Sequence, residues 1–181
     1  MKYIALILIV ASVIALAFGF SERKSEETSS DSWQIYTAPQ GGYSFQHPPK
    51  WSVETIPDGD GILVMCPTIE ADWQANLFFE LYSDSGNRSV GKMLEDYIPN
   101  LKKEKSGFTL VSSSVVTHPS GLEAGRIEYT HNLDGTKLYD CETVLVLENN
   151  KILFVLTSTA SSVKHKYNPT FLKIVDSIKK Q

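Results

Sequence analysis

Tyr43-Ser44-Phe45-Gln46-His47-Pro48-Pro49-Lys50-Trp51 is the stretch around which the rest of the chain can be read. Aromatic and polar residues alternate from Tyr43 to His47, which is the period of a half-buried strand. Two prolines then stop it, because neither can donate to a strand ladder. Trp51-Ser52-Val53-Glu54 begins a further extended piece. Upstream, Trp33 to Tyr36 alternates more weakly, and Gly41-Gly42 supplies a turn.

Downstream, Pro57-Asp58-Gly59-Asp60-Gly61 is a turn cluster, Ile62 to Cys66 is a short apolar run, and Gln74 to Tyr82 is a strand rich in aromatics. Between Ser89 and Lys105 the period changes. Val90, Met93, Leu94, Tyr97 and Leu101 fall at helical spacing, Ser89 is suited to the N-cap, and Pro99 predicts a kink or an early end. Four strands follow: Thr109 to Thr117, Glu123 to His131, Lys137 to Glu148, and Lys151 to Ser158. Pro119-Ser120-Gly121, Asp134-Gly135 and Asn149-Asn150 separate them, so they read as an antiparallel meander of hairpins. Leu145 to Leu147 and Ile152 to Leu156 are apolar on both faces, which predicts a sheet covered on both sides. A last helix is expected with Asn168 as cap and Pro169 in its first turn. Phe171, Ile174, Val175 and Ile178 form its stripe, and Lys179 and Lys180 complement its C-terminal dipole. The fold class is therefore α+β, with no internal repeat.

The first twenty residues give an address. Lys2 precedes an almost unbroken apolar run from Tyr3 to Phe20, with only Ser12 polar in its interior. The run reads as either a signal peptide or an N-terminal membrane anchor. Ala17-Phe18-Gly19 resembles a peptidase site, while about 18 residues, roughly 27 Å as a helix, just span a bilayer. No cysteine lies near the end of the run, which excludes a bacterial lipoprotein anchor. Residues 21–32 read as a flexible polar linker and residues 33–181 as one domain. The expected location is extracytoplasmic (secreted, periplasmic or lumenal), with a tether through residues 3–20 if the run is not cut. In an oxidising compartment Cys66 and Cys141 form either a disulfide or two buried thiols.

Composition excludes some functions. A net charge of −4 with mixed signs gives no nucleic-acid footprint. Gly86-Asn87-Arg88-Ser89-Val90-Gly91-Lys92 has phosphate-loop spacing, but Met93 stands where Mg²⁺ binding wants Ser or Thr, so no nucleotide is expected. Asp58-Gly59-Asp60-Gly61 begins like a calcium loop, and Ile62 and Ile69 then fail it. His47, His118, His131 and His165 show no metal-ligand spacing. His118 and His131 are expected as ordinary exposed strand residues. The alternative places them face to face across the Pro119 to Gly121 hairpin, with Asp140 or Glu142 completing a surface metal site. Glu80, opposite in alternation to Phe79, is expected to face solvent or a partner, and Glu70 and Asp72 to solvate a loop. No nucleophile elbow is present, so no enzyme, catalytic residue or cofactor is assigned. Trp51, Trp73, Phe78, Phe79 and Tyr82 are read as core, with an aromatic partner groove as the functional alternative.

The order of elements and the Tyr43-Ser44-Phe45-x-x-Pro48-x-x-Trp51 box resemble the PsbP/Mog1-like α/β/α sandwich over about residues 33–180. The resemblance implies a sheet between helices and a non-enzymatic binding or assembly role, exercised on another exported protein or a membrane complex. PsbP-type members can also bind metal ions. A small-ligand or calcium, zinc or manganese-binding protein is therefore the alternative, as is a photosystem II accessory if the host is photosynthetic. No family metal-ligand set can be matched here residue by residue.

Overall fold

In this computed structural model the residues described are 32–39, 42–56, 61–83, 88–147 and 151–181. The apolar leader and most of the linker lie outside them, as do Asp58 and Asp60.

Two sheets form. The small one has the order β1 (Gln34–Thr37), β2 (Tyr43–His47), β10 (Lys179–Lys180). The large one has seven strands: β3 (Ser52–Thr55), β4 (Ile62–Glu70), β5 (Trp73–Ser83), then β9 (Lys151–Ala160), β8 (Thr136–Val146), β7 (Glu123–Leu133) and β6 (Thr109–Thr117) at the far edge. Every paired neighbour is antiparallel. Helix α1 (Val90–Glu104) joins β5 to β6, and helix α2 (Lys164–Asp176) follows β9 after a single 3₁₀ turn, Ser161–Val163.

Local chemistry explains most boundaries. Asp134 and Gly135 both have positive φ, the geometry of a tight hairpin turn that Asp-Gly suits. Ala71 and Asp72 make the same two-residue turn between β4 and β5, a conformation alanine rarely adopts and one the sequence did not announce. Ser89 caps α1 as expected, its hydroxyl accepting from the Lys92 N–H at 3.3 Å.

Three helix boundaries differ from expectation. Pro99 does not end α1, which runs on to Glu104 because Leu101, fully buried, anchors the last turn. Helix α2 begins four residues before Asn168, so Pro169 lies inside it. The extra turn places Tyr167 in the core, against Trp51 and Phe171. Lys179 and Lys180 are not a helix end. They pair with Ser44 and Tyr43 of β2, and Ile178, fully buried, pins the crossing.

Alternate residues of β9 enter different clusters. Leu153 and Val155 pack with Leu77, Phe79, Leu145 and the Tyr167, Phe171, Ile174, Val175 stripe of α2. Ile152, Phe154 and Leu156 pack with Phe78 and Val144 and meet Met93 and Tyr97 of α1. Val90, Leu94 and Leu101 of α1 close over Ile127 and Tyr129 of β7. Gly125 permits that approach, since a Cβ there would stand 2.6 Å from Val90 and 2.8 Å from Leu94. The small sheet adds Tyr43 and Phe45 to the α2 cluster, with Phe45 stacked on Phe79 at 4.4 Å.

Candidate functional site

Asp140 and Glu142 are two residues apart on β8 and so share a side of the sheet. Register places Asp140 opposite Ser158 and Glu142 opposite Leu156, which belongs to the α1 side. Each carboxylate is only 2% exposed. Charges so deeply buried need partners, and β7 supplies them. Tyr129 lies opposite Asp140 yet donates its hydroxyl to Glu142 at 2.6 Å. His131 lies opposite Leu138 yet its Nε2 meets Asp140 Oδ2 at 2.8 Å. Both rings lean along the strand to the carboxylate two residues beyond the residue they face, a diagonal cross-strand contact.

A third pair borders this layer. Tyr82 of β5 donates to Glu80 at 2.5 Å, and both are half-buried. Glu80 is therefore not simply a solvent-facing residue. Tyr97 of α1 comes down beside Glu142 and meets Phe154 edge-on at 6.2 Å. Burial pushes the Glu142 carboxyl up to about 7, with the Asp140 charge adding to the rise. The Tyr129 and Tyr97 hydroxyls and the Lys105 charge oppose it. The same burial lifts the Tyr97 and Tyr129 hydroxyls well above the ordinary range. Asp140 Oδ1 is buried without a hydrogen-bond partner. The layer can hold a proton near neutrality, and His131, Asp140 and Glu142 in it are buried.

The two histidines of the surface metal reading are not brought together, and neither is exposed. His131 joins Asp140 under α1, whereas His118 stands at the opposite end of the β6–β7 hairpin. There His118 Nε2 donates to the Val175 carbonyl of α2 at 2.8 Å, while Nδ1 accepts from the Ser120 N–H at 3.1 Å. That fixes one tautomer and ties the hairpin to the helix. Among the described residues no three of His, Cys, Asp and Glu converge as a metal site. His47 is buried, and its Nδ1 donates to the Pro48 carbonyl. Glu70 pairs with Lys166 of α2 rather than merely solvating its turn.

The structure does not bring Cys66 and Cys141 together either: both are free thiols. Cys141 lies opposite Thr157, Thr157 opposite Leu77, and Leu77 opposite Val64, two residues from Cys66. Three ladder spacings of about 4.8 Å separate the strands, well beyond the ~7 Å limit for a bridge. Burial pushes the Cys141 thiol up to about 12, an inert state. The expected aromatic group is also divided. Phe79 and Trp51 belong to the α2 cluster, Phe78 and Tyr82 to the α1 side.

A second candidate is on the surface. β6, at the end of the sheet order, is uncharged and contains no proline: Thr109-Leu-Val-Ser-Ser-Ser-Val-Val-Thr117. Every residue but Val116 is exposed, including Leu110, Val111 and Val115. The opposite edge, β3, has four residues and carries Glu54. Natural edges are usually short, charged or broken by proline, and β6 is none of these.

No protein-family model matches the sequence, and it matches no curated protein. Solved structures do match. Cyanobacterial PsbP from Synechocystis superposes with a TM-score of 0.63 at 14% identity, covering 88% of this chain and 98% of that one. The yeast Ran-binding protein Mog1p from Saccharomyces cerevisiae gives 0.58 at 7% identity, over 83% and 96%. The fold is that of PsbP and Mog1. LpqN, involved in cell envelope biogenesis of Mycobacterium tuberculosis, has it too, with a TM-score of 0.64 at 13% identity over 81% and 90%. The mostly antiparallel sheet with two helices of this chain is thus similar in fold to these structures. Among the described residues no helix is long and apolar enough to cross a membrane; the run from Tyr3 to Phe20 lies outside them.

Proposed function

We propose that this chain is a non-enzymatic, extracytoplasmic PsbP/Mog1-like domain, an α/β/α sandwich with α1 and α2 on opposite faces of the sheet. Its role is to bind or help assemble another exported protein or a membrane complex. The observation that carries this reading is β6. A nine-residue, uncharged, exposed edge presents unpaired backbone groups to an extended segment, and main-chain pairing of that kind gives affinity without a pocket. The alternation of β9 between two clusters supports the sandwich. The non-enzymatic part is supported by where the ionisable groups lie: His131, Asp140 and Glu142 are sealed beneath α1. The apolar leader supports export, and the likeness to LpqN agrees with a cell-envelope setting.

The test is a pull-down from solubilised membranes with the full chain and with Val115→Lys, which places a charge on the half-exposed edge, the melting temperature reporting that the variant still folds. Wild type is expected to recover a protein that the variant loses. Equal recovery by both, or none by either across several detergents, overturns the reading.

A further inference from the structure

The sequence of β6 reads almost the same in both directions. Thr109 mirrors Thr117, Leu110 mirrors Val116, Val111 mirrors Val115, Ser112 mirrors Ser114, and Ser113 is its own mirror. A two-fold interface demands this property: where residue i meets residue j, j must also meet i. We propose that β6 pairs with β6 of a second copy, antiparallel and centred on Ser113. The inference rests on the reading of β6 as a binding edge and names its first occupant.

Three features of the strand fit that register. The first is side-chain facing. Val115 lies opposite Gly125 and Ser113 opposite Ile127, on the α1 side, while Ser114 lies opposite Arg126 and Ser112 opposite Glu128, on the other. The mirror partners Ser112 and Ser114 therefore fall on the same side, as directly opposed residues must. Val111 and Val115, 51% and 50% exposed, meet their counterparts and give one patch of four valines. Pairs of β-branched residues across strands are favourable contacts. The continuous ladder to β7 runs from Ser112 to Thr117, and Val111 is the extra residue of a bulge between Leu110 and Ser112.

The second feature is charge. With no ionised side chain on β6, self-pairing sets no like charges opposite one another. Antiparallel pairing also puts the start of one β6, which follows Lys102 and Lys103 at the end of α1, beside the end of the other. There Glu123 stands opposite Thr117. The third feature is closure. The two-fold uses both β6 edges and leaves only the short, Glu54-bearing β3 edges outside, so the assembly stops at two copies. A heterologous strand then competes with the second copy for the same edge.

Sedimentation of the full chain in detergent, together with cysteine crosslinking, tests this. The expected result is a dimer that Val115→Lys weakens about tenfold or more, with the melting temperature reporting that the variant still folds. Ser113→Cys is expected to give a covalent dimer on mild oxidation, because only a residue on the axis faces itself. Val115→Cys alone should crosslink poorly, and Val111→Cys combined with Val115→Cys should crosslink well. Wild type, whose Cys66 and Cys141 lie within the sheet, is the blank. A monomer with no Ser113→Cys crosslink overturns the second-copy inference. If that monomer still loses a different protein when Val115→Lys is introduced, the binding edge survives and only its occupant was wrong. If Val115→Lys changes neither assembly nor recovery, both readings fall.

Discussion

The same strands carry two different interiors. On the α2 side, Leu77, Phe79, Leu153 and Val155 pack with Tyr43, Phe45 and Phe171, while Arg126 and Glu128 fall on the same face further along β7. On the α1 side, the intervening residues form a mixed layer in which Asp140, Glu142 and His131 sit among Phe78, Phe154, Tyr97 and Tyr129. The α2 cluster gains chiefly from area, since burial is non-directional, with the buried His118–Val175 hydrogen bond beside it. The α1 side stands only as long as each buried polar group keeps its partner. The contrast teaches that one sheet can hold a tolerant core and an exacting one a single residue apart.

The largest way to break the contrast is Phe79→Ala. Phe79 is fully buried and stacked on Phe45, so its loss should cost about 4 kcal/mol in urea unfolding. A cost below about 1 kcal/mol would mean the α2 cluster is not the principal core.

Glu142→Gln probes the other side through pH. The folded chain holds the Glu142 proton up to about 7, whereas the unfolded chain releases it near 4.5. Between those values the folded state binds more protons, so stability falls as pH rises from about 4.5 to 7 and stays low above. The shift corresponds to about 3 kcal/mol. Glutamine keeps a neutral acceptor for Tyr129 and should remove that slope, making the variant more stable than wild type at pH 8 and little different at pH 4. Asp140, Tyr129, Tyr97, Tyr82 and Lys105 face this carboxyl and remain in place. Parallel pH profiles for the two proteins would show that Glu142 is not the titrating group.

Gly125→Ala tests whether α1 is seated on the sheet. Its Cβ must push back Val90 and Leu94, at a cost of about 2 kcal/mol. Protection from hydrogen exchange should drop in α1 and not in α2; an equal loss in both would contradict two separately packed helices. The smallest effect is expected from His118→Ala. It removes one hydrogen bond to the Val175 carbonyl and should cost about 1 kcal/mol, read from the melting temperature.

Much of this fold was legible. Tyr43–His47 occupies the range its alternation predicts, Thr109–Thr117 the range read from its place in the meander, and Asp134-Gly135 turns as its φ preference requires. These features are local: period, turn chemistry and a proline stop act within a few residues. The candidate site was legible only in part. His131 was expected as an exposed strand residue and is buried; its nearness to Asp140 entered only through the surface metal-site alternative, and the Tyr129–Glu142 contact not at all. The available signal was the alternation itself. Leu138, Asp140, Glu142 and Val144 share one side of β8, so two carboxylates fall in an otherwise apolar row.

By itself, then, the sequence determined the kinds of elements and most of their boundaries, because backbone preference and hydrophobic period are written residue by residue. It also determined the mirror symmetry of β6. Tertiary structure alone decided the strand order that sets β9 between β5 and β8, separating Cys66 from Cys141 by three ladder steps. It decided too that α2 begins early enough to bury Tyr167, and that β6 is left at the edge. The physical reason is common to all three. Each depends on which distant surfaces must be buried against one another, and that balance is struck over the whole sheet rather than within any one segment.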